Sequence, residues 1–336
     1  GGAEAVGPPL PDERLHQRDG SAIRLTIHHV AVAATAQPAE GALSTLRVGD
    51  EITGIYACTR KDRLVSRAGT PYLALELRDR TGTIAARVFR DADLAAGRFE
   101  KGDIVRVTGR VERWRDELQL DVRTIAKVPP EEVDPAAFLP VAYRDLDELE
   151  GFLEHLAREV HDPGYRGLLE ALLADDALRA QWRRAPCTRA GHHAYLGGLL
   201  EHTVAVGTLA LEACQLHPRL NSDLLLCAAL VHDIGKTREF TYGAEIGISE
   251  EGRLLGHVEI GLRMLEERAA EVPAMDAERR LALAHCVLTH HGPDATGRTG
   301  TAARFGSPEA LALYRLNALD ASVKGALEHG IGLAAG

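Results

Sequence analysis

Residues 222–236 read SDLLLCAALVHDIGK, an almost unbroken apolar run that ends in a histidine, an aspartate and a glycine. Leucine and alanine favour a helix, and a helix that is apolar on every side belongs inside a bundle. The dipeptide NS at residues 221–222 supplies an N-terminal cap. His232 and Asp233 close this helix, where adjacent side chains ordinarily point about 100° apart. We expect the chain to break at Gly235, so that the last turn loosens and the two side chains converge.

The chain beyond residue 144 repeats this helical spacing. Seven segments between residues 145 and 330 carry apolar residues at positions i, i+3 and i+4, which predicts an all-α bundle domain over that range. Residues 127–140, KVPPEEVDPAAFLP, contain four prolines. We therefore interpret residues 129–144 as an interdomain linker.

Residues 43–128 have the alternating pattern of β-strands. The stretches DRTG and WRDE mark two hairpin turns, and DADLAAGRF forms a short helix after the third strand. Five short strands in this range predict a small closed barrel of the OB type. Residues 1–42 are rich in Gly, Ala and Pro, and we expect a flexible N-terminal segment there. The predicted fold is multidomain, with a small all-β OB-type barrel followed by an all-α helical bundle.

Composition narrows the class of protein. The 336 residues are 45% hydrophobic and 26% charged, which is ordinary for a globular chain. No apolar stretch approaches the roughly 18 residues that cross a bilayer, and no N-terminal signal pattern is present. The five cysteines are scattered without a CxxC pair, which indicates reduced thiols. We therefore expect a cytoplasmic protein that does not associate with membranes.

The formal net charge of −10 is unevenly distributed. Residues 46–128 carry a net charge of +4, and the remainder of the chain carries −14. A basic barrel is compatible with nucleic acid, although a charge of +4 is common by chance. An acidic bundle is compatible with binding of divalent cations.

A set of metal-capable side chains lies at inward positions of the predicted helices. A single inward histidine is more often a core residue whose ring nitrogens are hydrogen-bonded. Seven inward His and Asp side chains in one bundle instead favour a metal centre. Imidazole and carboxylate ligands without thiolate suit an open hydrolytic site for Mn²⁺, Fe²⁺, Co²⁺ or Zn²⁺, with Mg²⁺ as a further candidate. The predicted ligands are His202, His232, Asp233, His257, His290, His291 and Asp320.

Four of these residues form a pattern that resembles the HD phosphohydrolase superfamily. The pattern H…HD…D corresponds to His202, His232 with Asp233, and Asp320, and the resemblance covers about residues 190–325. It implies that these four residues bind a first divalent ion. It also implies that a second ion is bound by the remaining predicted ligands, and that Asp233 bridges both ions.

A narrower resemblance covers about residues 45–325. The stretches HHAYLGGLLEHT, LNSDLLLCAALVHDIGKT, EGRLLGHVEIG and HHG with a later GSP resemble the YhaM family of bacterial 3′-to-5′ exoribonucleases. That family joins an N-terminal OB domain to an HD domain. Residues 293–305 separate HHG from GSP by more than the family pattern has, so we expect this loop to alter access of the substrate.

Two residues besides Asp233 are predicted to take part in catalysis. Lys236 follows the HD pair and could neutralise charge on phosphoryl oxygens, the alternative being a solvent-facing lysine at a helix end. The family resemblance suggests that His192 or His193 lines the substrate channel, and we assign His193, with a cap or surface role as the alternative. No Ser or Cys nucleophile is required, because metal-activated water supplies one.

The barrel carries candidate contacts to nucleic acid, since OB barrels bind single strands with aromatic and basic side chains. The alternative is that these side chains are structural, and the alternation of Phe89 with inward positions favours a core role for it. The aromatic candidates are Tyr56, Tyr72, Phe89 and Trp114, and the basic ones are Arg60, Lys61, Arg87 and Arg113.

These features predict a divalent-metal-dependent 3′-to-5′ exonuclease that releases 5′-mononucleotides from single-stranded RNA, with DNA as a further candidate substrate. Two metal ions are expected, with Mn²⁺ favoured, and the sequence leaves a homo-oligomer open. One alternative is an HD phosphohydrolase for nucleotides or cyclic dinucleotides, although no GYP follows the HH pair. Another alternative is a binding protein with an OB module and an inactive HD domain.

Overall fold

The computed structural model describes residues 42–129, 132–292 and 305–330. Two predicted features lie outside these residues, namely the N-terminal segment at residues 1–41 and the loop at residues 293–304. A closed barrel with the strand order β1-β2-β3-β5-β4 confirms the predicted OB-type fold. Its elements are β1 (Glu51–Val65), β2 (Pro71–Asp79), β3 (Gly82–Val88), α1 (Ala92–Ala96), β4 (Ile104–Trp114) and β5 (Glu117–Lys127).

The barrel is built from alternation and from tight turns. Leu73, Leu75 and Leu77 on β2 are buried in its core, while the residues between them are partly exposed. At the β4–β5 turn, Arg115 and Asp116 have positive φ angles of 50° and 68°, the backbone form that two-residue hairpins require. Four strand pairs are antiparallel, and the β3–β5 pair that closes the barrel is parallel.

The C-terminal domain is a bundle around the apolar helix Ser222–Val231. All residues of that helix from Leu224 to Val231 are buried. The helices are α2 (Leu146–Arg158), α3 (Pro163–Leu173), α4 (Asp176–Arg184), α5 (Gly198–Leu216), α6 (Ser222–Val231), α7 (Lys236–Glu239), α8 (Glu250–Ala269), α9 (Ala277–Thr289) and α10 (Pro308–His329). In the described part of the chain, no helix is both long and apolar enough to span a membrane.

Two details of the bundle differ from the prediction. One predicted helix is divided into α3 and α4, because the side chain of Asp175 accepts a hydrogen bond from the backbone N–H of Leu178 and starts a new helix. A two-stranded hairpin, β6 (Phe240–Tyr242) and β7 (Ile246–Ile248), lies between α7 and α8. The Phe, Thr, Tyr and Ile residues of this stretch favour strands, so the domain is not purely helical.

The proline-rich connection is packed against both domains. It contains a short 3₁₀ helix, Pro135–Ala137, and Phe138 beyond it is 2% exposed. The backbone N–H of Ala142 then donates to the carbonyl of Leu196, just before α5. A small apolar cluster joins residues of the barrel, the connection and the β6–β7 hairpin, namely Ala57, Ile104, Val128, Phe138 and Ala244.

Candidate metal centre and nucleic-acid interface

Five elements of the bundle bring the predicted metal ligands together. One ligand lies within α5, two directly follow α6, one lies in α8, two directly follow α9 and one lies within α10. The side chains of His202, His232 and His290 are completely buried, and Asp233 is 2% exposed. The full ligand set runs from His202 to Asp320, which are 118 positions apart, so the cluster is a product of the tertiary fold.

Asp233 occupies the centre of this cluster. Its Oδ2 lies 3.3 Å from Nε2 of His232 and 3.5 Å from Nε2 of His202. Its Oδ1 lies 3.4 Å from Nε2 of His257 and 3.5 Å from Nε2 of His290. The two carboxylate oxygens therefore face two different groups of imidazoles, which is the arrangement that a bridging ligand requires.

Gly235 shapes this centre in a way that the sequence did not predict. Its φ angle of −62° is one that any residue adopts, so the chain does not break there through a special backbone conformation. A Cβ atom at this position would instead lie 2.0 Å from the backbone oxygen of His257. Glycine is required because α8 packs directly against the turn after α6, and this packing brings His257 to Asp233.

The donor set fits a divalent cation. Oδ1 of Asp233 and Nε2 of His290 are buried and have no hydrogen-bond partner among the described residues. Nδ1 of His290 lies 2.6 Å from the carbonyl of Val287, a contact that leaves Nε2 as the free acceptor. Buried acceptors without donors are costly unless a cation occupies the space between them. Ligand atoms of Asp233, His257, His290 and His291 all lie within 4.8 Å of one another.

Asp320 approaches the centre through His202. Its Oδ2 lies 2.6 Å from Nδ1 of His202, whose Nε2 lies 3.3 Å from Nε2 of His232. Ligand atoms of His192, His193, His202 and Asp320 form a second group within 4.8 Å. In this structure Asp320 orients the His202 ring, and its direct binding of a metal ion stays a prediction.

Lys236 is buried beside Asp233, which excludes the alternative of a solvent-facing lysine. Its Nζ donates to Oδ2 of Asp233 at 2.7 Å and contacts Sγ of Cys187 at 3.5 Å. Burial opposes its charge, but the carboxylate of Asp233 outweighs burial and raises the pKa of Lys236. Burial raises the pKa of Cys187 to about 12, so its side chain is a neutral thiol. The ammonium group is thus held at the metal centre as a fixed positive charge.

The prediction that His193 lines the substrate channel needs correction. His193 is 1% exposed, and its backbone N–H donates to Oε2 of Glu328. Burial lowers the pKa of His193 to about 3, which leaves the imidazole neutral and enclosed. The neighbouring His192 is half-buried, and its ring lies 5.2 Å from that of His202. His192 is therefore the member of the pair that reaches the accessible side of the site.

Two residues of the centre carry little or no signal in the sequence. Cys187 contacts Lys236, but the scattered pattern of the cysteines does not single it out. Oε1 of Glu239 accepts a hydrogen bond from the backbone N–H of His257 at 3.2 Å and lies 3.3 Å from its Nδ1. The sequence signal for Glu239 is weak, since it consists only of a carboxylate three residues after Lys236.

The barrel presents an aromatic platform, which we define as Tyr72, Arg87, Phe89 and Trp114. The rings of Tyr72 and Phe89 stack with centroids 5.2 Å apart. The Arg87 guanidinium carbon lies 5.4 Å from the centroid of Tyr72 and 5.2 Å from that of Trp114. The inward positions of β3 are Ile84, Ala86 and Val88, so Phe89 faces outward; it is 45% exposed, and the expectation of a core role for Phe89 was wrong.

Other barrel candidates divide into buried and exposed groups. Tyr56 is 3% exposed inside the barrel, so its ring cannot stack on a base, and that prediction was wrong. Nζ of Lys61 donates to the carbonyls of Ala96 and Phe99, which makes Lys61 a structural residue of the barrel. Arg60 and Arg113 are exposed and accessible to a ligand, with Arg60 paired to Asp62.

Comparisons with known proteins agree with this architecture. Residues 199–322 match the HD domain family, and residues 47–128 match a family described as OB-fold nucleic acid binding domain. The chain is similar to the 3′-5′ exoribonuclease YhaM of Bacillus subtilis (strain 168), with 29% identity over 82% of this chain and 86% of that protein. It is 27% identical to YhaM of Halalkalibacterium halodurans over 73% of this chain and 76% of that protein.

Among solved structures, the chain is similar to the second OB-fold domain of replication protein A from Methanococcus maripaludis. That match has a TM-score of 0.22 and 25% identity, and it covers 26% of this chain and 91% of that domain.

Proposed function

We propose that this chain, a relative of the YhaM exoribonucleases with an OB-fold domain and an HD domain, is a divalent-metal-dependent 3′-to-5′ exonuclease. Its proposed substrate is single-stranded RNA, and its proposed products are 5′-mononucleotides. The observation that carries this proposal is the position of Asp233, whose two buried oxygens each face a separate group of imidazoles. This arrangement supports two metal ions, with Mn²⁺ as the favoured ion.

The residues of the chain have distinct proposed roles in the reaction. His202 and His232 would hold the first ion with Asp233, and Asp320 would orient His202 or bind that ion directly. The second ion would be held by Asp233, His257, His290 and His291. When bound, such a pair of ions polarises the phosphodiester and lowers the pKa of water.

The fixed charge of Lys236 and the accessible ring of His192 complete the proposed site. The Lys236 ammonium would offset negative charge in the buried centre, where electrostatic interactions are stronger than in water. No thiol nucleophile is required, because metal-activated water would supply the nucleophile. Burial also keeps the Cys187 thiol protonated by raising its pKa. His192 would contact the scissile phosphate or the terminal nucleotide from the open side.

The aromatic platform supports a polymeric substrate over a free nucleotide. Exposed Phe89 and Trp114 offer ring faces to bases, and Arg87 between Tyr72 and Trp114 offers a positive charge to the backbone. We propose that the platform holds the strand while its 3′ end reaches the metal centre.

The proposal is tested with an oligoribonucleotide labelled at its 5′ end and incubated with the full chain and Mn²⁺. We expect a ladder of progressively shorter labelled products and release of 5′-mononucleotides. Asp233→Asn keeps the size of the side chain but removes one oxygen, and we expect its activity to fall by a factor on the order of 10³. Asp176→Asn, at an exposed position on α4, is the matched control.

Internal cleavage, or equal activity of the parent and Asp233→Asn, would contradict the proposal. An oligodeoxyribonucleotide of the same sequence decides whether DNA is also a substrate. Turnover of free nucleotides or cyclic dinucleotides without turnover of oligonucleotides would favour a small-molecule phosphohydrolase.

A further inference from the structure

Glu239, the last residue of α7, contacts one edge of the His257 ring while the other edge faces the metal centre. We infer that Glu239 is a positioning residue that orients His257 and thereby raises the affinity of the second site for its metal ion. This inference rests on the two-metal centre of the proposed function. It goes further, because it assigns selective control of one ion to a carboxylate outside the ligand set.

The backbone of α8 is shaped to receive this carboxylate. Gly256 has φ 72° and ψ 159° inside α8, which interrupts the helix one residue before His257. The interruption leaves the backbone N–H of His257 available, and it donates to Oε1 of Glu239 at 3.2 Å. A residue with a side chain rarely adopts this φ angle, so glycine at position 256 allows the backbone conformation in which His257 contacts Glu239.

Close packing between α7 and the start of α8 fixes the backbone of Glu239. The backbone N–H of Ser249 donates to the carbonyl of Glu239 at 2.8 Å. A Cβ atom at Gly252 would lie 2.4 Å from that same carbonyl oxygen, so only glycine allows the approach. The carboxylate of Glu239 is thereby held at a defined position beside His257.

The ring of His257 is consequently held at both edges. Oε1 of Glu239 lies 3.3 Å from Nδ1, and Nε2 lies 3.4 Å from Oδ1 of Asp233 and 3.0 Å from Nε2 of His291. A carboxylate on Nδ1 selects the tautomer in which Nε2 carries the free lone pair, and it fixes the orientation of the ring. The side chains of Glu239 and His257 are only 14% and 16% exposed, so water screens the contact weakly.

Glu239 is selective for one half of the centre. Its contacts are to His257, which belongs to the group with Asp233, His290 and His291. His202 is oriented separately, by Asp320 at 2.6 Å. Loss of the Glu239 carboxylate should therefore weaken the binding of the second ion and leave the binding of the first ion unchanged.

The test is a calorimetric titration of the metal-free full chain with Mn²⁺. We expect two ions for the parent. For Glu239→Gln we expect one ion with the parent affinity and a second ion bound about 10- to 100-fold more weakly. Glu239→Ala, which removes the acceptor oxygen, should weaken the second ion further.

Glu251→Gln is the matched control, because Glu251 lies on α8 near the same junction and pairs with Arg238 instead. It should bind both ions as the parent does. Retention of the first ion by Glu239→Gln shows that the variant is folded.

The outcomes separate this inference from the proposed function. If the parent and Glu239→Gln both bind two ions with equal affinity, the inference is overturned and the two-metal proposal stands. An equal loss of affinity for both ions in Glu239→Gln also overturns the inference, since that result indicates a general loss of structure. If the parent binds fewer than two ions, both the inference and the two-metal proposal are wrong.

Discussion

Buried charge is the central feature at the scale of single residues. Asp233 and Lys236 form an ion pair of 2.7 Å with almost no exposure to solvent. Lys236 and His232 oppose the effect of burial and keep the pKa of Asp233 well below its usual range. The free energy of unfolding of the metal-free protein therefore depends on Lys236, which is the ion-pair partner of this carboxylate.

Lys236→Gln should destabilise the metal-free protein strongly and respond to metal more than the parent does. Removing one partner of a buried ion pair costs about 3–5 kcal/mol, because the remaining charge is left uncompensated. A divalent ion on Asp233 would restore positive charge, so Mn²⁺ should raise the unfolding temperature of the variant more than that of the parent. Thermal unfolding with and without Mn²⁺ measures this difference. An unchanged metal-free unfolding temperature would contradict the prediction.

At the scale of elements, helix caps and strand ends decide where functional groups lie. The carboxylate of Asp162 caps α3 by accepting from the backbone N–H groups of Gly164 and Tyr165. The side chain of Arg279 on α9 also donates to it, which ties α3 to the helix that ends in two predicted metal ligands. This cap therefore links local helix formation to the tertiary packing of the bundle.

Asp162→Ala should lower the free energy of unfolding by about 0.5–2 kcal/mol through loss of the cap. The hydrogen bond from Arg279 lowers the pKa of Asp162, so the folded state favours the ionised form. This contribution is present above the unfolded pKa of about 4 and is lost as the pH falls through the lower folded pKa. Urea unfolding from pH 7 to pH 3 should show the parent and variant converging in acid.

Glu170→Ala, at an exposed position on the same helix, is the control. Its free energy of unfolding should equal that of the parent at every pH. A constant difference between the parent and Asp162→Ala at every pH would show that the carboxylate charge does not matter.

The aromatic platform is a product of strand ends. Phe89→Ala should weaken binding of a single-stranded oligoribonucleotide by about 1–3 kcal/mol, the typical contribution of one base stacked on an aromatic ring. Fluorescence anisotropy of a labelled strand measures this affinity. Tyr143→Ala removes an aromatic ring that is 92% exposed outside the platform, and it should bind as the parent does. An equal loss in both variants would exclude a specific role for the platform.

At the scale of the whole molecule, the barrel is attached to the bundle through packed side chains. Ala244 at the tip of the β6–β7 hairpin is 2% exposed in the apolar cluster, and Arg78 of the barrel donates to its carbonyl. Removal of the barrel would expose Phe138 and Ala244. Point variants are therefore a cleaner probe of the junction than truncation.

Ala244→Asp should destabilise the full chain by an amount on the order of 3 kcal/mol, because it buries a charge in an apolar cluster. The adjacent Gly243→Asp is the control, since a Cβ atom at Gly243 has no neighbour within 4 Å. Calorimetry should show a lower unfolding temperature for Ala244→Asp alone. If both variants unfold at the parent temperature, the junction does not contribute to stability.

The sequence by itself determined the architecture and the ligand types. Alternation in residues 43–128 and apolar helical spacing beyond residue 144 depend on local geometry, so they identify the barrel and the bundle without knowledge of contacts. The seven His and Asp ligands were visible for the same reason, although the structure leaves His291 exposed and not inward. Their assignment to separate ions came from the family resemblance and stays a prediction.

Only the tertiary structure decided what each side chain touches. Gly235 serves the packing of α8, Glu239 lies against His257 across a hairpin, and His193 is enclosed while His192 is accessible. Phe89 is exposed and Tyr56 is buried, the reverse of what the sequence predicted, because the inward face of each strand is set by how the barrel closes. Such contacts join residues far apart in the chain. Their geometry depends on how whole elements pack, and local sequence patterns carry no record of that packing.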